Sequence, residues 1–218
     1  KEGENYFNLV NRRKKNEPIA YIVNNKHFWR DKFMVNKNVL IPRPDSEHLV
    51  EQTIRLIKKD QAKRILDVGV GSGCLSISIL NERLNCKCDA IDLSKNALKL
   101  AKINANLHQL SDRIKFYKRD VDNFYNDKYD LVISNPPYIN KHKIKYLERD
   151  VAKFEPISAL DGGLDGLSEI RKVIKKSSEL IKFGGKLILE IAYNQKQEVK
   201  KLLKVNGFYI NSVVKDLG

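Results

Sequence analysis

The residues with the clearest chemistry form an Asn-Pro-Pro-Tyr tetrapeptide directly after the apolar run 129–134. Asn135 offers a side-chain carbonyl oxygen as a hydrogen-bond acceptor. Pro136 has a fixed φ and no N–H, so its carbonyl can serve as a second acceptor, and Pro137 keeps residue 136 extended. Tyr138 supplies a flat wall for a planar group. Two acceptors beside a wall suit a neutral NH2 group, so these four residues are the predicted catalytic residues.

A glycine-rich turn upstream is the second candidate site. An apolar run that contains one carboxylate leads into three glycines at alternate positions, and glycine lets the backbone approach a ligand closely. The spacing Gly-x-Gly-x-Gly is shorter than the Gly-x-Gly-x-x-Gly of dinucleotide-binding proteins. We therefore expect the methionine and ribose groups of S-adenosylmethionine here, with a purely structural turn as the alternative. The predicted cofactor-binding residues of this turn are Asp67, Gly69, Val70, Gly71, Ser72 and Gly73.

Polar residues also follow two later strands. Asp92 lies about 20 residues beyond the glycines, where an acidic residue usually binds the ribose hydroxyls. Its alternative role is to cap the helix that begins near Ser94. Asp120 and Val121 are predicted to border the adenine, with the carboxylate near the exocyclic amine; a solvated loop is the alternative.

The elements that must position these residues alternate between strand and helix from residue 64 onward, which predicts a parallel sheet with helices on both faces. Ligands of such sheets bind at the carboxyl ends of the strands, where all the candidate residues lie. The predicted strands are 64–69, 87–92, 114–118, 129–134, 185–191 and 208–214, and the predicted helices are 73–84, 94–108, 166–182 and 194–206.

The residues before this region are predicted to form a small extension. We expect a helix over 5–15, then a β-hairpin with arms 19–23 and 26–29 around an Asn-Asn turn. A proline-rich loop follows, and Asp45 or Ser46 is expected to cap the next helix. The predicted division is therefore 1–45 for the helix remnant, hairpin and linker, and 46–218 for the main domain.

Composition restricts the class of protein. The excess of 41 Lys+Arg over 27 Asp+Glu gives a net charge of +14, which suits a nucleic-acid-rich partner or reflects a compositional bias. Three cysteines and four scattered histidines form no ligand pattern, so no metal is predicted. No apolar run approaches the roughly 20 residues that span a bilayer. We expect a cytoplasmic, monomeric enzyme without a membrane partner.

The chain resembles the HemK/PrmC release-factor glutamine methyltransferases. The resemblance covers nearly the whole chain and rests on residues 67–73, Asp92 and the Asn-Pro-Pro-Tyr loop. Five further segments also carry it, namely 18–22, 28–29, 33–35, the proline-rich segment 40–47 and Phe-Glu-Pro at 154–156. It implies an α/β, Rossmann-like class I S-adenosylmethionine-dependent methyltransferase domain with a mostly parallel, seven-stranded-type sheet. It also implies a peptide-chain release factor as substrate, methylated on the glutamine of a Gly-Gly-Gln motif.

The resemblance adds three expectations about the site. Residues 135–138 would bind the glutamine, Asn135 would also contact the cofactor, and Phe28 with the loop 43–47 would border the methyl-donor pocket. Ser46 stands where the family usually has threonine, which keeps the hydroxyl. The family's N-terminal helical domain is almost absent, and residues 216–218 resemble the approach to a last strand that the sequence lacks.

Two other functions remain open at this stage. An amino methyltransferase acting on adenine N6 in DNA or RNA would use the same tetrapeptide on a similar NH2 group. A cofactor-binding fragment without activity is the other alternative.

Overall fold

A computed structural model of the chain describes residues 2–215, with side chains from Tyr6 onward. The N-terminal helix α1 (Glu2–Lys14) is followed by a short helix, α2 (Ile19–Ile22). An antiparallel hairpin comes next, formed by β1 (Asn25–Phe28) and β2 (Asp31–Met34).

The predicted hairpin was wrong in its first arm. Residues 19–22 are helical, because the carbonyl of Pro18 accepts from the backbone N–H groups of Tyr21 and Ile22. This single turn buries Tyr21 and Ile22 on one side. The hairpin turns at Trp29, whose φ is +56°, and not at the predicted Asn-Asn pair.

The main domain alternates helices and parallel strands, as predicted. It comprises α3 (Glu47–Leu56), β3 (Arg64–Val68), α4 (Cys74–Glu82), β4 (Lys87–Asp92), α5 (Lys95–Leu107), β5 (Ile114–Lys118), β6 (Tyr129–Ser134), α6 (Arg149–Phe154), α7 (Ser168–Leu180), β7 (Ile181–Leu189) and α8 (Lys196–Val205). The sheet order is β5-β4-β3-β6-β7, and every neighbouring pair is parallel. The expected Rossmann-like architecture is confirmed.

Helices cover both faces of the sheet. One core contains apolar residues of α3, α4 and α5 with the hairpin residues Phe28 and Phe33. On the other face α7 packs on β3, β6 and β7, and α8 packs against α7. The strand order reverses between β3 and β6, and this switch point is where open α/β sheets bind ligands.

Two expectations at the C-terminal side were wrong. Residues 208–214 form no strand, because no backbone hydrogen bond joins them to β7 in the described part of the chain. β7 starts at Ile181 and not at residue 185, and the Gly184-Gly185 pair lies in an irregularity of the β6–β7 register. Gly185 has no room for a Cβ, which would lie 2.6 Å from Ile181 Cγ2. Residues 216–218 lie outside the described residues.

The expected cap of α3 was also wrong. Neither Asp45 nor Ser46 accepts a capping hydrogen bond, and Ser46 instead directs its hydroxyl to Glu190. Among the helices of residues 2–215, none combines the length and apolar composition that a bilayer crossing needs.

The side chain of Asn104 on α5 joins the hairpin to the main domain. It is fully buried; its Oδ1 accepts from Met34 N at 2.8 Å, and its Nδ2 donates to Met34 O at 3.0 Å and to Ser72 O at 2.8 Å. One amide therefore fixes the end of β2 and the glycine turn relative to each other.

Replacing Asn104 by alanine should lower the free energy of unfolding by about 2 kcal/mol, because the backbone groups of Met34 and the buried carbonyl of Ser72 lose their partner. Asn106→Ala makes the same change on the exposed side of α5 and is the matched control. Urea unfolding followed by circular dichroism measures both. Equal stability of the two variants would contradict the role given to Asn104.

Candidate active site

The glycine turn after β3 has the backbone freedom predicted for it. Gly69, Gly71 and Gly73 have φ values of +78°, +54° and +86°. A Cβ built on Gly69 would meet no atom within 4 Å, and one on Gly71 would meet only the Gly69 carbonyl, at 4.0 Å. Gly73 differs, since its Cβ would lie 3.0 Å from Ile77 Cδ1. The first two glycines therefore leave space for a ligand, whereas the third allows α4 to pack closely.

Asp67 is a buried carboxylate beneath this turn. Its side chain is 1% exposed, and its Oδ2 has no hydrogen-bond partner. Burial raises the pKa of Asp67 to about 7, with Ser76 opposing the shift and the charge of Asp92 adding to it. An unpaired buried carboxylate oxygen beside an open turn fits the α-ammonium group of S-adenosylmethionine.

Asp92 at the end of β4 holds the turn from the other side. Its Oδ2 accepts from Gly71 N at 3.0 Å and its Oδ1 from Ser94 N at 2.8 Å. Ser94 itself caps α5 through Ala97 N. Burial raises the pKa of Asp92, and the two backbone donors oppose that shift. Each carboxylate oxygen has a second lone-pair site, so ribose binding is compatible with these contacts and stays a prediction.

Asp120 and Val121 follow β5 at the same edge. Asp120 Oδ1 accepts from Asp122 N at 2.9 Å and caps a short 3-10 turn. Val121 is buried with Phe124 in the core beneath the edge. The turn keeps Asp120 beside the end of β4, because Arg119 N donates to Asp92 O. Their predicted position beside the adenine stays a prediction.

The Asn-Pro-Pro-Tyr loop leaves β6 directly beside the glycine turn. Val68 pairs with Ser134, and the Ser134 hydroxyl donates to Val68 O at 2.7 Å. Asn135 follows at once and is half-buried, and Pro136 is buried. The structure thus brings together two segments whose joining residues lie 66 positions apart in the sequence.

A chain of hydrogen bonds connects Asn135 to Tyr138. Asn135 Nδ2 donates to Ser46 Oγ at 2.9 Å, Ser46 Oγ donates to Glu190 Oε2 at 2.6 Å, and Tyr138 OH donates to Glu190 Oε1 at 3.2 Å. Burial raises the pKa of Glu190, and the Ser46 and Tyr138 donors oppose the shift. Because Nδ2 faces Ser46, the Oδ1 of Asn135 lies on the other side of its amide.

Gln195 and Gly166 contact the backbone of the Asn-Pro-Pro-Tyr loop at Tyr138. Gln195 Nε2 donates to both Tyr138 O and Gly166 O, at 3.0 and 2.9 Å. A Cβ on Gly166 would lie 2.5 Å from Tyr138 O, so only glycine allows this approach. Tyr138 also packs against the apolar cluster of α7 and α8, which fixes its ring.

Two segments named in the resemblance meet at Glu155. Its buried carboxylate accepts from Ile41 N and pairs with Arg43, so the Phe-Glu-Pro segment holds the proline-rich loop. Phe28 is buried against Phe33 in the main core. Its predicted place at the edge of the methyl-donor pocket stays a prediction.

The sequence reasoning missed Glu190, Gln195 and Asn104. Glu190 directly follows β7, so the signal that identified Asp92, a carboxylate at the end of a parallel strand, also applies to it. The other two are buried amides that connect loops, and nothing in their sequence surroundings distinguishes them from other polar residues.

Comparison with known proteins agrees with this geometry. The family model described as methyltransferase small domain matches residues 46–152. A release factor glutamine methyltransferase of Clostridium botulinum is 40% identical over 219 residues, which is 99% of this chain and 77% of that protein. One from Fusobacterium nucleatum is 40% identical over 212 residues, which is 96% of this chain and 60% of that protein. The chain belongs to the release factor glutamine methyltransferase family. The resemblance stated from the motifs is confirmed.

A solved structure supports the fold of this family member independently. The crystal structure of ribosomal protein L11 methylase from Lactobacillus delbrueckii subsp. bulgaricus matches with a TM-score of 0.62, at 18% identity, over 88% of this chain and 84% of that one. The shared feature is the α/β methyltransferase fold. The cofactor of the family is S-adenosylmethionine, which fits the open glycine turn and the unpaired oxygen of Asp67.

Asp67 should make the stability of the ligand-free protein depend on pH. Its pKa is raised in the folded state, so its contribution is full below about pH 4 and is lost as pH rises through about 7. Asp67→Asn has no such carboxylate and should not lose this stability. From pH 5 to pH 8, its free energy of unfolding should therefore rise by roughly 2–3 kcal/mol relative to that of the wild type. Urea unfolding at both pH values measures it.

Asp112→Asn, on an exposed turn, is the matched control and should follow the wild type at both pH values. If Asp67→Asn also follows the wild type, the buried carboxylate does not carry the effect.

Proposed function

We propose that this chain transfers a methyl group from S-adenosylmethionine to the side-chain amide nitrogen of glutamine in the Gly-Gly-Gln motif of a peptide-chain release factor. The observation that carries the proposal is the orientation of Asn135. Its Nδ2 is engaged by Ser46, so its Oδ1 is left to accept from a substrate NH2 group beside the glycine turn. The names of the relatives support the choice of substrate.

The proposed cofactor residues lie at the ends of three strands, β3, β4 and β5. Gly69 and Gly71 would receive the methionine portion, and Asp67 would accept from its ammonium group. Asp92 would bind the ribose hydroxyls, with Asp120 and Val121 beside the adenine. When bound, S-adenosylmethionine supplies a methyl group on a positively charged sulfur.

The protein's own contribution is to orient the amide. A glutamine amide is a poor nucleophile because its lone pair is delocalised. Asn135 Oδ1 and the Pro136 carbonyl accept hydrogen bonds from its two N–H groups. These contacts turn the nitrogen lone pair toward the methyl donor and stabilise the positive charge that grows on nitrogen. The N-methylated amide then releases one proton to water. Tyr138 holds the amide plane.

The remaining parts of the proposal concern the setting of this reaction. We infer a monomer, because all the proposed site residues belong to one chain, and a cytoplasmic protein without a membrane partner, because release factors act on the ribosome. We keep the division between residues 1–45 and 46–218. The chain spans 60% of the Fusobacterium relative, so activity of residues 1–218 by themselves is part of the proposal.

Labelled methyl donor tests the function directly. The protein is incubated with an intact release factor, with the same factor carrying Gly-Gly-Ala, and with DNA or RNA. We expect label only in the Gly-Gly-Gln peptide of the first sample, located by mass spectrometry. Label in adenine would support the nucleic-acid methyltransferase that the +14 charge also suits. Cofactor binding without any label would identify an inactive fragment.

Asn135→Ala should lower turnover about a hundredfold, because one acceptor that stabilises the reacting nitrogen is lost. Affinity for S-adenosylhomocysteine, measured by calorimetry, should largely be kept. Asn106→Ala, the same exchange on an exposed side of α5, is the control and should turn over at the wild-type rate. Near-normal turnover of Asn135→Ala would remove Asn135 from the mechanism.

A further inference from the structure

The direction of each hydrogen bond around Ser46 is determined by Glu190. An ionised carboxylate can only accept, so the single hydroxyl hydrogen of Ser46 is committed to Glu190 Oε2, 2.6 Å away. The Ser46 oxygen is then left as an acceptor for Asn135, at 2.9 Å. Only the NH2 end of the asparagine amide satisfies that acceptor.

Reversing the Asn135 amide would bring Oδ1 against the Ser46 oxygen with no hydrogen between them. That arrangement is repulsive as long as Glu190 holds the hydroxyl hydrogen. Without Glu190, the Ser46 hydroxyl can donate to Oδ1 equally well, and the amide has two orientations of similar energy. In the reversed orientation the NH2 group of Asn135 would face the NH2 group of the substrate, so glutamine would not bind productively.

We propose that Glu190 and Ser46 are positioning residues that select the orientation of Asn135 in which Oδ1 faces the substrate amide. This inference rests on the proposed function, because it assigns how the acceptor for glutamine is oriented. Neither residue contacts the reacting atoms in this scheme; both act through Asn135.

The same carboxylate also acts on the other end of the loop. Tyr138 OH donates to Glu190 Oε1 at 3.2 Å. Glu190 therefore accepts hydrogen bonds from Tyr138 and from Ser46, the residue that contacts Asn135. Hydrogen bonds in such a chain strengthen one another: a strong acceptor behind Nδ2 polarises the amide and makes Oδ1 more negative. Glu190 therefore favours both the orientation and the accepting strength of Asn135.

The groups around Glu190 act on its charge in both directions. Burial and the charge of Asp45 raise the pKa of Glu190, whereas the Ser46 and Tyr138 donors and Asn135 oppose that shift. Hydrogen bonds from Ser46 and Tyr138 to Glu190, and from Asn135 to Ser46, favour the ionised form of this carboxylate.

The first test is kinetic. Ser46→Ala and Glu190→Gln should each lower kcat about twofold or more, with affinity for S-adenosylhomocysteine kept, because about half of the Asn135 amides would then lie in the unproductive orientation. Glutamine would not substitute for Glu190, since its amide can donate to Ser46 and free the hydroxyl hydrogen for Asn135 Oδ1. Ser46→Thr restores the hydroxyl and should recover most of the turnover that alanine loses. Ser178→Ala, on the exposed side of α7, is the matched control.

A second measurement does not depend on activity. The two side-chain NH2 signals of Asn135 are assigned in a ¹⁵N NMR spectrum by their loss in Asn135→Ala. In the wild type and in Ser46→Thr we expect well-separated signals from a fixed amide. In Ser46→Ala and Glu190→Gln they should move toward the values of a free amide. A double variant, Ser46→Ala with Asn135→Ala, should be no slower than Asn135→Ala alone.

The outcomes separate the two proposals. If the wild type methylates glutamine but Ser46→Ala and Glu190→Gln keep its kcat and its Asn135 signals, the positioning role is wrong. If the wild type does not methylate glutamine, the proposed function is wrong, and the NMR signals alone decide whether Glu190 and Ser46 orient the amide. Additive losses in the double variant would also overturn the positioning role.

Discussion

The pairing of β3 with β6 at the centre of the sheet is the constraint on which the candidate site depends. Both strands end at the same edge, and Val68 and Ser134 are partners in register, joined further by the Ser134 hydroxyl. The glycine turn and the Asn-Pro-Pro-Tyr loop therefore begin at adjacent points. Because the strand order reverses here, α4 after β3 and α7 after β6 pack on opposite faces of the sheet, and such a switch point is where open α/β sheets bind ligands.

Strand pairing brings the loops together, but buried polar side chains determine their shape. Asn104 holds the glycine turn to the hairpin, Gln195 holds the Tyr138 carbonyl, and Glu155 holds the proline-rich loop through Arg43. Each of these groups is buried and would be costly to leave without a partner, so each favours a single arrangement of the loop it contacts. The resulting rigidity suits the proposed reaction, in which a weak nucleophile must be oriented.

The polar residues of the site divide into two kinds. Asp67 has an oxygen without a protein partner, which is expected where a ligand completes the hydrogen bonding. Ser46 and Glu190, in contrast, are satisfied within the protein and direct their neighbours. In the proposed function, the first kind marks the place of the cofactor, and the second prepares an acceptor for the substrate.

The sequence by itself determined the alternation of strands and helices, the glycine turn and the loop after β6, because periodicity and local backbone restrictions are properties of neighbouring residues. It also indicated the family, since the motif residues occur together. It failed where distant contacts override local preference: residues 19–22 are helical and their turn buries Tyr21 and Ile22. Residues 208–214, within the described part of the chain, make no backbone hydrogen bond to β7. Only the tertiary structure decided the use of Ser46, which its position predicts as a cap but which a carboxylate 144 residues away recruits instead. The orientation of the Asn135 amide follows from that contact, because hydrogen-bond direction depends on partners that the chain brings together only on folding.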